Sequence, residues 1–233
     1  MLFSTDDLCI AQCMNSYFSS VFTVEDYGNF PTPDYVVVKR LENINCSVNE
    51  VRRLLLKLKP NKSPGPDNIA PCVLRECASE LAPSLAHILN KSFSSGLLPN
   101  EWNCADITPL HKKGSKSLRE NYCPISLTSI VCKIGEKIVF DRLHKFWQET
   151  GLINNNQFGF LKGRSTVTQL LSSLNDWAKW RNLSRPTDVV FLDLAKAFDI
   201  VPHERLLLKL KVMVLTVACM PSSGTSWQDA GSA

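Results

Sequence analysis

The sequence predicts an α+β fold in which a few strands stand among many helices. Three observations carry that expectation. Apolar residues recur at helical spacing in several segments, a basic loop joins two short strand-like stretches after residue 104, and a continuous apolar run at 189–192 has the character of a buried strand. With 233 residues and 44% apolar content, the chain can build one ordinary domain core.

Residues 1–45 read as a helix and then a linker, with aromatic pieces in NSYFSSVF and YGNFPTPDY. Ser47 and Glu50 have the spacing of a capping box, and Val51, Leu54, Leu55 and Leu58 share one face, so a helix is expected over about 48–59, ended by Pro60. In KSPGPD two prolines flank a glycine, which pre-sets a tight turn and projects Lys62 and Asp67 from a stiff loop. A second helical region follows over about 71–95, interrupted near Pro83 and stopped by Gly96.

The stretch from Cys104 to Leu110, the loop HKKGSK and the stretch NYCPISLTS predict a hairpin with lysines at its tip. Val131, Ile134, Ile138, Leu143 and Phe146 then mark a helix over about 129–149, with Gly151 as its stop. After the basic loop FLKGRS another helix is expected from Ser165 or Thr166 to about Asn182. The sequence shows no internal repeat or low-complexity tract.

Charge is distributed unevenly. The formal net charge is +4, but residues 1–50 carry Lys39 and Arg40 against seven acids, whereas residues 51–211 hold 24 of the 26 basic residues against 14 acids. That +10 middle suits a polyanionic partner, and helix-face solvation alone is the competing explanation. The start MLFSTDDLCI has no basic flank of a secretory signal, and no apolar run approaches the ~20 residues of a membrane span. Nine cysteines without a CxxC point to a reducing compartment, nucleus or cytoplasm. Cys9 with Cys13 and Cys72 with Cys77 lack a matching second pair or nearby histidine, so no zinc site is expected.

Chemistry concentrates in DVVFLDLAKAFDIVPHERLLLKL, residues 188–210. Val189 to Leu192 would deliver Asp193 to a strand end, where a carboxylate must be paired, capped or metal-bound. The structural alternative is that Asp193 caps a helix beginning at LAKAF.

FLDLAKAFDIVPHERLLLKL resembles the first carboxylate motif of reverse transcriptases from non-LTR retrotransposons of the jockey and CR1-like type. The resemblance extends in order through KSPGPDNI, WNCADITPLHKKG, NYCPISLTS, EKI and QFGFLKGRST, over roughly 46–211, with a fainter match in NSYFSSVFT. It implies a fingers subdomain joined to the first part of a right-hand polymerase palm, and an RNA-directed DNA polymerase using deoxynucleoside triphosphates and Mg²⁺ on an RNA template or RNA–DNA hybrid. Asp193 would hold the Mg²⁺ ions, assisted by the Leu194 carbonyl. Phe198 would pack against the nucleotide sugar, Lys112 or Lys113 would contact the triphosphate, and Lys62, Lys162 and Arg164 would grip template phosphates. Asp199 and His203 would shape the turn and helix after the motif.

Three departures from the family pattern bear on activity. Cys123 and Leu161 stand where the family has arginines, and a cysteine has neither the charge nor the donors of a guanidinium. No Tyr-x-Asp-Asp sequence, the family's source of further metal-binding carboxylates, occurs in the 233 residues. Later palm strands, a thumb and an upstream endonuclease are expected to be absent. From 212 to 233 the resemblance stops abruptly, while a one-nucleotide shift with permitted codons yields a family-like continuation, so a one-base deletion near Lys211 is expected, with an intron or gene boundary as the competing explanation. An incomplete polymerase is therefore expected, with a residual fragment binding RNA or RNA–DNA hybrid, or an inert pseudogene product, as alternatives.

Overall fold

The computed structural model describes residues 6–25, 28, 41 and 43–214. Most of the expected linker and residues 215–233 of the expected aberrant tail lie outside the described residues. The chain forms two compact units, residues 1–143 with 198–233, and residues 144–197.

In the first unit, α1 (Asp7–Ser19) starts at Asp6, whose side chain accepts the Cys9 N–H. α2 (Val48–Leu56) starts at Ser47, which accepts the Glu50 N–H at 3.1 Å. Only this half of the expected capping box forms. The Glu50 carboxylate instead takes the Arg142 guanidinium at 2.8 Å, because a charged partner offers more than one backbone amide. The helix also ends at Leu56, three residues short of expectation, with Lys57 as its C-cap.

The expected interruption at Pro83 is corrected. The break falls at Cys77, between α3 (Pro71–Glu76) and α4 (Ala78–Ser95), and Pro83 sits inside α4. Pro83 costs α4 one helical donor, and the buried face on either side holds the helix together. Gly96 closes α4 in the left-handed region at φ 70°, its N–H reaching Ser92 at 2.9 Å.

The core joins α2, α3 and α4 to the first turns of α5 (Ile130–Glu149). Val51, Leu55 and Leu89 are fully enclosed there, and each such side chain stabilises the fold by about 1.5–3 kcal/mol relative to exposure. Asn90 holds the approach to α2, accepting the Cys46 N–H at 2.8 Å and donating to the Cys46 carbonyl at 2.9 Å.

β1 (Ala105–His111) and β2 (Tyr122–Thr128) pair antiparallel from Ala105 opposite Thr128 to His111 opposite Tyr122. This mixed fold of helices and a small two-stranded sheet agrees with the expected class. A lone hairpin buries little and is marginal in water, so its ends must be secured. At one end buried Gly65 of the KSPGPD turn lies against the Thr128–Ser129 backbone. At the other, Arg119 places its guanidinium over the Tyr17 ring of α1, 5.4 Å from the centroid.

The second unit holds the last turns of α5, then α6 (Thr166–Asn182). Gly151 follows α5 at φ 68°. Ser165 and Thr168 form a reciprocal capping box, each side chain accepting the other's backbone N–H. The buried strand expected over 189–192 is not formed. These residues are unpaired, and Leu192 is 91% exposed. A strand exists only with a ladder partner, and none of the described residues supplies one.

Candidate functional site

The lysine-tipped loop has a fixed shape. Lys112 donates its backbone N–H to Asn121 at 2.9 Å, prolonging the β1–β2 ladder by one bond. Asn121 Nδ2 donates to the Ser115 carbonyl at 2.9 Å, and Tyr122 Oη donates to the Lys116 carbonyl at 2.9 Å. His111 Nε2 lies 3.1 Å from the Gly114 carbonyl, and its ring meets Tyr122 edge-on. The backbone is thus tied while Lys112 and Lys113 stay exposed. A loop ordered in this way would have less to lose in conformational freedom on meeting a ligand. Cys123 faces Leu110 across the ladder.

Lys62 is exposed at the start of the KSPGPD turn. Asp67, expected to project, turns back on its own backbone and accepts the Ile69 N–H at 3.2 Å.

Phe198 lies in the turn before Ile200 and is 80% exposed. Beyond it α7 (His203–Val214) begins after Pro202, which has no side-chain acceptor for the first amides. Glu25 supplies one, its Oε1 accepting the Glu204 N–H at 2.8 Å. Thr23 donates its hydroxyl to the Ile200 carbonyl at 2.7 Å. Sequence reasoning gave the N-terminal segment no role, and no local signal could have, because these partners are 177 and 179 residues apart.

In the second unit, Asp193 and Leu194 are exposed in unpaired backbone. The alternative that Asp193 caps a following helix is also corrected, because residues 195–199 form turns with Lys196 at φ 52° rather than a helix. Lys162 is exposed in the turn before α6. Arg164 is already engaged, with its guanidinium 4.9 Å from the Phe158 ring centroid and bonded to the Asn155 carbonyl. The side chain is nevertheless exposed, and a guanidinium carries five donors in all.

Asp193 alone does not fit a two-ion site. Among the described residues no group of three or more His, Cys, Asp or Glu side chains could hold a metal, and a pair of Mg²⁺ ions needs several converging carboxylates. All eight described cysteines are free, and burial, followed by the nearby Glu136 carboxylate, pushes Cys132 up to about 12. Burial also raises Cys46. No helix among the described residues is long and apolar enough to cross a membrane.

The tied hairpin with its lysine tip and the glycine turn packed against the end of β2 belong to the first unit, and the exposed segment that carries Asp193 belongs to the second. Residues 110–228 match the family described as reverse transcriptase (RNA-dependent DNA polymerase), and the chain belongs to that family. It is 32% identical over 165 residues to the probable RNA-directed DNA polymerase from transposon BS of Drosophila melanogaster, covering 70% of this chain and 18% of that protein. It is also 32% identical over 166 residues to the RNA-directed DNA polymerase from mobile element jockey of the same species, covering 71% and 18%. The transposon TX1 uncharacterized 149 kDa protein of Xenopus laevis is 31% identical over 171 residues, covering 72% and 13%. The chain therefore spans less than a fifth of these relatives' lengths, and its likeness is to polymerases of non-LTR mobile elements.

Proposed function

We propose that residues 46–211 are the fingers and the first part of the palm of a mobile-element RNA-directed DNA polymerase, and that their task is to hold template and incoming nucleotide. The observation that carries this reading is the lysine-tipped hairpin, whose backbone is tied on both sides of exposed Lys112 and Lys113 within a chain of this family. In this reading the two lysines meet the triphosphate of a deoxynucleotide, and Phe198 meets its sugar. Lys62, Lys162 and Arg164 meet template phosphates, which attract them regardless of base sequence.

In the same reading Asp193, with the Leu194 carbonyl, is assigned to Mg²⁺. The 233 residues carry no Tyr-x-Asp-Asp sequence to complete the pair of ions. Polymerisation is therefore not proposed for these residues by themselves, and template binding is.

Titration of a labelled RNA–DNA hybrid by fluorescence anisotropy tests the reading. Binding that weakens steeply between about 50 and 200 mM salt, with little dependence on base sequence, supports it. Absence of binding at the lower salt concentration would remove it and leave a folded remnant without this task.

A further inference from the structure

We propose that Glu25, with Thr23, is a positioning residue that clasps the segment after Phe198, an inference whose bearing on the nucleotide rests on the function proposed above. Three independent features meet at this point. Pro202 precedes α7 and cannot cap it, so the helix begins with donors that need an outside acceptor. Glu25 Oε1 takes the amide of Glu204, at the second position of the helix, at 2.8 Å, and a carboxylate there also complements the positive end of the helix dipole. Thr23 holds the Ile200 carbonyl at 2.7 Å, on the other side of Pro202.

The geometry is that of a two-point clasp. One bond fixes the backbone two residues after Phe198 and the other fixes the helix start, so residues 200–204, which follow directly on the turn that carries Phe198, are held at both ends. Glu25 Oε2 is buried with no hydrogen-bond partner among the described residues. A carboxylate gives up its hydration in that way only where its placement is enforced by what surrounds it. The segment after α1, which carries only the end of the faint match in NSYFSSVFT, thereby holds the residues that follow Phe198.

The test uses the full 233-residue chain with 4-fluorophenylalanine at position 198, read by ¹⁹F resonance, together with amide hydrogen exchange. In Glu25→Ala the amides of 203–206 are expected to exchange faster by about tenfold or more, while α2 and α4 keep their protection. The fluorine resonance should move at the same time. Glu25→Gln, whose amide oxygen still accepts a hydrogen bond, should restore both signals, which a general loss of stability would not do. Should Glu25→Ala unfold α2 and α4 as well, Thr23→Val, which removes one hydroxyl, takes its place under the same readouts. Unchanged exchange at 203–206 and an unmoved fluorine resonance in the folded variant would overturn the proposal. Neither readout involves template or nucleotide, so failure of the hybrid titration removes the polymerase reading and leaves the clasp standing.

Discussion

A Cβ atom placed on Gly65 would lie 2.6 Å from the carbonyl carbon and oxygen of Thr128, and 2.7 Å from the Ser129 nitrogen. All three are backbone atoms at the junction of β2 and α5, so no side chain can swing aside. Gly65→Ala should therefore force the KSPGPD turn off the hairpin and destabilise the first unit by about 1–3 kcal/mol, the range for overpacked buried positions. Urea unfolding followed by circular dichroism measures this, and an unchanged midpoint would mean that the turn does not pack there.

Arg142 and Glu50 offer a second check. The Arg142 Nη2 reaches the two Glu50 oxygens at 3.0 and 2.8 Å and the Asn45 carbonyl at 3.4 Å, and the Glu50 side chain is only 19% exposed. Removing the guanidinium strands a half-buried carboxylate, so Arg142→Ala should cost about 1–2 kcal/mol, more than a surface pair gives. In the double variant with Glu50→Ala, much of that loss should return. A double-mutant cycle reads it, and strict additivity would show that the pair contributes nothing.

The buried thiols predict a pattern of alkylation. Cys132, with its pKa pushed up to about 12, and Cys46, raised by burial, should react far more slowly at pH 8 than exposed Cys9, Cys72, Cys77 and Cys104. The sign of the stability effect follows. Because folding raises the Cys132 pKa above its ordinary 9.0, its contribution is complete below about pH 9 and is lost as pH rises toward 12. Mass spectrometry after timed iodoacetamide treatment, native and in urea, gives the order of reaction. Early labelling of Cys132 in the native protein would contradict its burial.

At the loops assigned to template phosphates, Lys62→Ala and Lys162→Ala should leave the fold intact, since both side chains are exposed. Each lysine that contacts a phosphate should lower the salt dependence of hybrid binding by about one charge when it is removed. An unaltered slope in the double variant would place the nucleic acid elsewhere on the chain.

The legible parts of this sequence were those decided by nearby residues. Val51, Leu54 and Leu55 declared their helix by spacing, and HKKGSK between two strand-like stretches declared the hairpin. What distant residues decide was hidden. Glu50 reads locally as half of a capping box, yet its carboxylate belongs to Arg142, 92 residues away. The reciprocal box that does form uses Thr168, a less obvious third residue than glutamate. The apolar run 189–192 carries strand character, but pairing is a property of two segments, and no described residue supplies the second. At the candidate site, the motif order placed Lys112 and Lys113 on an identifiable loop, whereas Asp193, expected at the end of a buried strand, stands in unpaired backbone. That order gave no sign that Thr23 and Glu25 would reach residues 200–204.

These residues are proposed to grip template without completing the chemistry of polymerisation. The decisive experiment is primer extension with an RNA template, Mg²⁺ and deoxynucleotides, comparing the 233-residue chain with Asp193→Ala and reading template binding in the same samples. Binding by both proteins and extension by neither is the expected result. Extension by the unaltered chain that disappears in Asp193→Ala would contradict it, because a working two-ion site would then have to form around Asp193 without a Tyr-x-Asp-Asp sequence.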